Sequence, residues 1–290
     1  MAVTPRRTSR SRSAPRTCSS SCAGSPRNYH PGVDDVAKYN QGRWRRLVDA
    51  NAVYTRLALD LDAESARRRL DPNGRLDPVD GKHVLVLAGG GGQQSVAFAL
   101  LGARVTVFDL SDAQLARDRD VASHHGVEIR TVEGDMRVLS ALDAAAFDVV
   151  WQPYSLNFVP DCRAVFCQVA RVIRPAGTYY VDVANPYFVG IGERDFDGEG
   201  YVVKLPYVQG ALVETTDAAW VAGGRSIEPA REYRQTLEAV INGLVENGFR
   251  ITHLDEGVNT DPDPQARPGS WDHFNAIVPP WLSFWTVRDP

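Results

Sequence analysis

Short apolar runs and amphipathic stretches alternate along the middle third of the chain. Val84-Leu85-Val86-Leu87 is apolar without alternation, the pattern of a parallel strand buried on both faces. Gly89 to Gly92 follow at once, and Ser95 to Leu101 then reads as a helix closed by Gly102. Arg104 to Phe108 predicts a second strand ending on Asp109. Ser111 is placed to cap the next helix, with Gln114 as its capping-box partner, and that helix runs to about Gly126. Val127 to Val132 predicts a third strand, followed by Gly134-Asp135-Met136, and Phe147 to Trp151 predicts a fourth. Asp161 opens a helix whose Val165, Phe166, Val169, Val172 and Ile173 share a face; Pro175-Ala176-Gly177 ends it, and Thr178 to Ala184 predicts a fifth strand.

Strand and helix alternate with short connections, which implies a parallel sheet with helices on both faces. Ligands bind such sheets at the carboxyl ends of the strands. The glycine run, Asp109, Asp135 and the Gln152–Asn157 segment all follow strand ends, so they are expected to converge on one site. The C-terminal part reads differently. Residues 187–228 are loop-rich, with strand-like pieces at 201–203 and 211–213. Pro229 to Asn247 predicts an amphipathic helix striped by Tyr233, Leu237, Val240, Ile241 and Leu244, with Gly248 after it. Ile251 to Leu254 and Ala276 to Val287 predict two last strands.

Composition narrows the function classes. A chain of 290 residues with 43% hydrophobic positions can bury a sizeable core. A net charge of −4 offers no basic field for nucleic acid, and no apolar run is long enough to span a bilayer. Residues 1–33 are a separate Arg/Ser-rich tail, expected to be disordered, with a transit peptide as the sharper alternative. Residues 34–80 are expected to form an N-terminal helical cap, and 81–290 the ligand-binding domain, with a substrate-side insertion at about 187–228. Four cysteines do not make a disulfide scaffold, and all four are read as reduced thiols of a cytoplasmic protein. No second Cys/His pair stands at ligand spacing, so no metal site is expected.

A glycine turn between strand and helix lets backbone lie against a ligand, and the helix N-terminus adds free N–H groups. Alone this is a weak signal. Asp109 lies 17 residues beyond Gly92, at a strand end where a carboxylate can accept both hydroxyls of a ribose. Asp135 can accept from an adenine amino group while Met136 packs on the ring. The three together are far more specific than any one.

These residues carry a family resemblance. Val-Leu-Val-Leu-Ala-Gly-Gly-Gly-Gly at 84–92, Val-Phe-Asp-Leu-Ser at 107–111 and Gly-Asp-Met at 134–136 are its first three blocks. Phe-Asp-Val-Val-Trp-Gln-Pro-Tyr-Ser-Leu-Asn-Phe-Val-Pro-Asp at 147–161 and Arg-Val-Ile-Arg-Pro-Ala-Gly at 171–177 complete it. In order and spacing they resemble the class I S-adenosylmethionine-dependent methyltransferases, small-molecule branch, over about a third of the chain. The resemblance implies a Rossmann-like α/β fold whose mostly parallel sheet has seven strands, the last antiparallel. It implies S-adenosyl-L-methionine as cofactor, S-adenosyl-L-homocysteine as product, and cofactor contacts from Ala88, Gly89, Gly90, Gln94, Asp109, Leu110, Asp135, Met136 and Gln152. Two positions depart from the family. It usually has an acid where Val86 stands and glycine where Ala88 stands; Ala88 fits if its φ is negative.

Methyl transfer is a direct displacement that rests on alignment, and a base is needed only when the nucleophile carries a proton of high pKa. Aromatic faces can contact the sulfonium charge, and Tyr39, Trp44 and Tyr54 lie in the expected cap. The acceptor-side polar candidates are Tyr154, Asn157, Tyr187, Tyr207, His253 and His273. His273 is the leading base candidate, with Asn157 and Tyr154 as catalytic partners. The acceptor is expected to be a small organic molecule, with neither nucleic acid nor membrane as partner. Two rivals share parts of the pattern. An NAD-dependent oxidoreductase would want glycine where Gln94-Ser95 stands and gives no role to Gly134-Asp135; a non-catalytic cofactor-binding module draws only on the missing acid at Val86.

Overall fold

The computed structural model describes residues 34–191, 196–216 and 227–290. The expected tail lies outside them, as does part of the expected insertion. The chain runs through α1 (Asp35–Asp49), α2 (Ala63–Leu70), β1 (His83–Leu87), α3 (Ser95–Leu100), β2 (Arg104–Asp109), α4 (Asp112–His125), β3 (Ile129–Glu133) and β4 (Phe147–Gln152). It continues with α5 (Cys162–Val172), β5 (Ile173–Ala184), α6 (Pro186–Ile191), β6 (Leu212–Thr215), β7 (Ala230–Tyr233), α7 (Leu237–Glu246), β8 (Phe249–Glu256), α8 (Trp271–Ile277) and β9 (Trp281–Arg288).

Seven strands form one sheet in the order β3-β2-β1-β4-β5-β9-β8. β1 pairs in parallel with β2 and β4, β2 with β3, and β4 with β5. β9 runs antiparallel between β5 and β8. The result is the expected Rossmann-like sheet. Because β1 is covered on both sides, its residues alternate between two cores rather than between core and solvent. Leu85 and Leu87 face α5 and α7, packing with Val165, Phe166 and Leu244. Val84 and Val86 face α2 and α3, packing with Ala66, Leu70 and Phe98.

Caps fix the helices that lead into the site. Asp34 accepts from the Ala37 N–H at the start of α1, and Ser111 accepts from the Gln114 N–H at the start of α4. Gly126 ends α4 in the left-handed conformation at φ 65°. The Gln114 side chain does not close a capping box; it turns toward the glycine turn instead.

Four local expectations fail. Residues 230–233 form β7, paired antiparallel with β6, and α7 starts only after the Thr236 cap. The stripe through Tyr233 fitted a helix, but Ala230 and Glu232 are buried in alternation with Arg231 and Tyr233, the period of a strand. Next, α5 ends at Val172 and β5 begins at once. Phe147 pairs with Ile173 and Val149 with Thr178, so Arg174 to Gly177 are accommodated as an irregularity inside the strand. Ala176 takes φ 62° there. Residues 271–277 are α8, capped by Ser270, and β9 starts only after Pro279-Pro280. Residues 201–203 are not a strand. Cys162 is a buried free thiol, and Cys167 is half-exposed on the flank of α5. Among the described residues no helix is long and apolar enough to cross a membrane.

Candidate active site

A cavity of about 1970 Å³ opens at the carboxyl ends of β1, β2 and β4, bounded by α1, α2 and the β6–β7 ribbon. Ala88, Gly89, Gly90, Gln94, Asp109, Leu110, Asp135 and Met136 all line it, although they come from three separate stretches of sequence. Gln152 does not: it is fully buried, donating to Ser155 Oγ and Met136 Sδ and accepting from the Tyr179 hydroxyl.

The glycine turn is packed as tightly as it is bent. Ala88 has φ 50°, the left-handed region that favours glycine, so the negative φ that would let an alanine fit without strain is not met. Its amide is held by the Phe108 carbonyl at 2.7 Å, so the strand pairing imposes about 1 kcal/mol or more of strain there. A Cβ on Gly89 would lie 2.8 Å from Pro153 Cγ and Val86 Cγ1, and one on Gly90 would lie 2.6 Å from Gln114 Cβ. Val86 itself is buried against α2 and α3 and brings no charge to the turn.

Asp109 sits at the end of β2 with its carboxylate bent back to the turn. It accepts from the Ser111 N–H at 2.8 Å and from the Gly90 N–H at 3.1 Å. Burial pushes it up to about 6, against those amide bonds. Beside it, Gln114 Oε1 is buried without a hydrogen-bond partner while lining the same cavity. A carboxylate and an orphan amide oxygen side by side form an acceptor pair, and acceptors are what a diol requires.

Asp135 is engaged from the side. Arg137 reaches it with Nε and with Nη2 at 2.5 Å, and the same guanidinium makes a two-bond contact with Asp34 at 2.8 and 2.9 Å. Burial works against the Arg137 charge, but the bonds to Asp135 and Asp34 outweigh it and raise its pKa. Arg137 thereby pins the start of α1 to the β3 end of the site. Gln41 of α1 adds a bond to the Leu110 carbonyl at 3.2 Å.

The opposite end is aromatic. Tyr154, Phe158, Trp281, Trp271, Phe274 and Phe188 line it, with Trp44 of α1 edge-on to Phe158. Tyr54 also lines the cavity, whereas Tyr39 donates to the Pro229 carbonyl under the Arg231 guanidinium. Tyr154 donates to Glu232 Oε1 at 3.0 Å, and both groups line the cavity. Burial, then the neighbouring carboxylate, holds the Tyr154 phenol well above its ordinary range. Burial likewise raises Glu232, while the Tyr154 bond and the nearby Arg43 charge pull it down.

The other acceptor-side candidates lie elsewhere. His273 is buried in α8 with Nδ1 2.8 Å from the Tyr201 hydroxyl and does not line the cavity. Asn157 is a cross-brace, accepting from the Ala184 N–H at 2.8 Å and donating to the Tyr233 carbonyl at 3.1 Å. Tyr187 and Tyr207 stack on each other on the surface, and His253 is exposed on β8. Of the three expected catalytic side chains only Tyr154 reaches the cavity.

Two further carboxylates were missed. Glu232 was hidden by the helical reading of 229–247. Asp118 sits on the buried stripe of α4 with Leu115, Val121 and Ala122; an acid on an apolar stripe was a signal open to the sequence. It is fully buried and accepts from the Gly91 and Gly92 amides, both at 3.0 Å, and from Ser95 Oγ at 2.6 Å.

With this geometry in view, the comparisons with known proteins are specific. A family model described as a methyltransferase domain matches residues 85–181. The chain is 33% identical over 181 residues to the uncharacterized methyltransferase YbaJ of Bacillus subtilis, covering 62% of this chain and 71% of that one. It is 31% identical over 200 residues to the ubiquinone biosynthesis O-methyltransferase of Idiomarina loihiensis, covering 63% and 74%. It spans only 43% of the Cronobacter sakazakii protein of the same name. A solved S-adenosylmethionine dependent methyltransferase from Mesorhizobium loti shares 25% identity and a TM-score of 0.58 over 80% of this chain and all of that one. Sequence, sheet order and relatives agree: the chain belongs to the class I S-adenosylmethionine-dependent methyltransferases.

Proposed function

We propose that the chain methylates a small organic acceptor bound between the Tyr154–Glu232 pair and the aromatic wall. When bound, S-adenosyl-L-methionine supplies an electrophilic methyl group on its sulfonium and leaves as S-adenosyl-L-homocysteine. The observation that carries the reading is one continuous cavity with two chemically different ends. Asp109 and the orphan Gln114 oxygen line one end, and aromatic rings around a buried carboxylate line the other.

The acceptors at the first end suit the ribose of the cofactor. Asp109 and Gln114 Oε1 would accept from the ribose hydroxyls, and Gly89 and Gly90 would leave room for the nucleoside because they carry no Cβ. Met136 and Leu110 offer apolar contact to the base, and Asp135, held by Arg137, offers an acceptor at its edge. Ala88 and Gln94 line the approach to the amino-acid end.

At the second end the aromatic side chains position the acceptor and exclude water. Glu232 is the proton acceptor for a hydroxyl nucleophile. Burial raises its pKa and so makes it a stronger base than an exposed carboxylate, and Tyr154 orients it through their shared bond. With the cofactor bound, Glu232 would take the proton from the acceptor hydroxyl while Tyr154 holds the carboxylate in place. A hydroxyl acceptor is favoured by the likeness to a protein named as an O-methyltransferase. The ribbon of β6 and β7 and the cap at 34–80 act as acceptor wall and cofactor lid.

The test is transfer of labelled methyl from S-adenosyl-L-methionine to a panel of phenols, carboxylates and amines, with Glu232→Gln and Tyr154→Phe beside the parent. Glu232→Gln is expected to cut transfer to a phenol on the order of 100-fold while cofactor affinity holds. Equal rates in parent and Glu232→Gln would remove the proposed base.

A further inference from the structure

Behind the glycine turn lies a carboxylate that takes no part in the mechanism above. Asp118 has no exposed surface, yet three donors converge on it: the Gly91 and Gly92 amides and the Ser95 hydroxyl. Gly91 and Gly92 have φ of 106° and 80°, so the turn that presents these amides inward is open to glycine and strained for other residues. A Cβ on Gly92 would meet Val121 of α4 at 2.7 Å, so the turn also rests directly on the helix that carries Asp118. In phosphate-binding turns such amides hold the anion of the ligand. Here the chain supplies the anion itself.

The arrangement links two of the site's features. Gly90, the neighbour of these amides, donates to Asp109. Gln114, whose oxygen is left for the ligand, comes from the same helix as Asp118, one turn earlier. Val86 leaves β1 without an acid, so α4 provides the carboxylate that organises the turn. Resting on the reading of this turn as the cofactor seat, we propose that Asp118 is its positioning residue. Its ionised carboxylate holds Gly91 and Gly92 in the arrangement that sets Asp109 and Gln114 against the ribose. Its protonation loosens the turn and weakens cofactor binding.

The charge state is finely placed. Burial pushes Asp118 up to about 7, opposed first by the Ser95 hydroxyl and the Gly91 amide, and reinforced by the Asp109 charge facing it from β2. α3 contributes only the Ser95 hydroxyl, the turn contributes its amides, and no cation is among the groups that set it. Cofactor affinity is therefore expected to fall as acid is added through neutrality, before Asp109 protonates at about 6.

The experiment is calorimetric titration of the full chain with S-adenosyl-L-homocysteine from about pH 5 to about pH 8.5, beside Asp118→Asn and Ser95→Ala, each checked by thermal melting. Asp118→Asn is expected to bind at least about tenfold more weakly in mild alkali and to lose the fall through neutrality. Ser95→Ala removes a bond that favours the charged form, so it is expected to move the midpoint of that fall to higher pH. Wild-type affinity and pH profile in Asp118→Asn would overturn the proposal. Should that variant fail to fold, an unmoved midpoint in Ser95→Ala would overturn it. No binding by the parent at any pH would instead remove the cofactor reading and the proposal with it.

Discussion

At the β1–β2 end of the cavity, backbone amides meet buried carboxylates: Gly90 on Asp109, Gly91 and Gly92 on Asp118. At the Tyr154 end, side chains meet side chains, in edge-on rings and one phenol–carboxylate bond. The first end is fixed by strand termini and by close contacts at Gly89 and Gly90, so its shape follows from the fold. The second is assembled from the segment after β4, α6, β7, α8 and the start of β9, which are distant in sequence. Under the proposed function, the difference separates a cofactor seat built for one ligand from an acceptor seat that a few substitutions can retune.

Substitutions can break that contrast. Asp109→Ala removes a buried acceptor, and at about 1.5–3 kcal/mol for a hydrogen bond to a charged group it is expected to weaken cofactor binding about 10- to 100-fold. Affinity for an acceptor, measured by titration without cofactor, should hardly change. Gly90→Ala places a Cβ 2.6 Å from Gln114 Cβ, and is expected to cost about 1–3 kcal/mol on denaturant unfolding as well as cofactor affinity. An equivalent substitution on the aromatic wall should alter acceptor preference and leave that cost absent.

Acid sharpens the contrast further. Asp109 and Asp182 are pushed up to about 6 and Asp118 to about 7, in each case chiefly by burial. Carboxylates raised above the unfolded value of 3.8 keep protons in the folded state that the unfolded chain has released. Their contribution to stability therefore falls as pH rises from about 4 to about 7. Asp34 and Asp255 are lowered, first by their bonds to Arg137 and Arg75, and their contribution is lost only below about 4. Melting of the ligand-free chain is thus expected to rise on mild acidification while cofactor affinity falls. A melting temperature that drops steadily from pH 7 to pH 5 would contradict the buried-carboxylate picture. The smallest effect is Ala88→Gly, which relieves the left-handed alanine and is expected to leave cofactor affinity near parental with stability changed by no more than about 1 kcal/mol.

The same contrast explains how much the sequence disclosed. The cofactor end is written in local signals: an apolar run into glycines, an acid at a strand end, a Ser cap before a helix. Each survives folding because each is set within a few residues. The acceptor end depends on long-range pairing, and there the periodicity misled. Tyr233 and Leu237 extended a stripe that belonged to two elements, concealing Glu232 on β7. His273 stood beside the right aromatics, yet α8 turns it toward Tyr201 while Trp271 and Phe274 face the cavity. Asn157 follows the right strand but is consumed by backbone groups of β5 and β7. Strand ends mark where a site lies; which side chains enter it is decided by elements that arrive from elsewhere.

The central claim is that the glycine turn and Asp109 hold an adenosyl sulfonium cofactor rather than a dinucleotide. The direct measurement is calorimetric titration of the purified chain with S-adenosyl-L-methionine and, separately, with NAD near neutral pH. The account predicts saturable binding of one S-adenosyl-L-methionine per chain and no heat with NAD, because Asp118 already fills the amide seat that a pyrophosphate would need. Binding of NAD, or none of S-adenosyl-L-methionine, would contradict it.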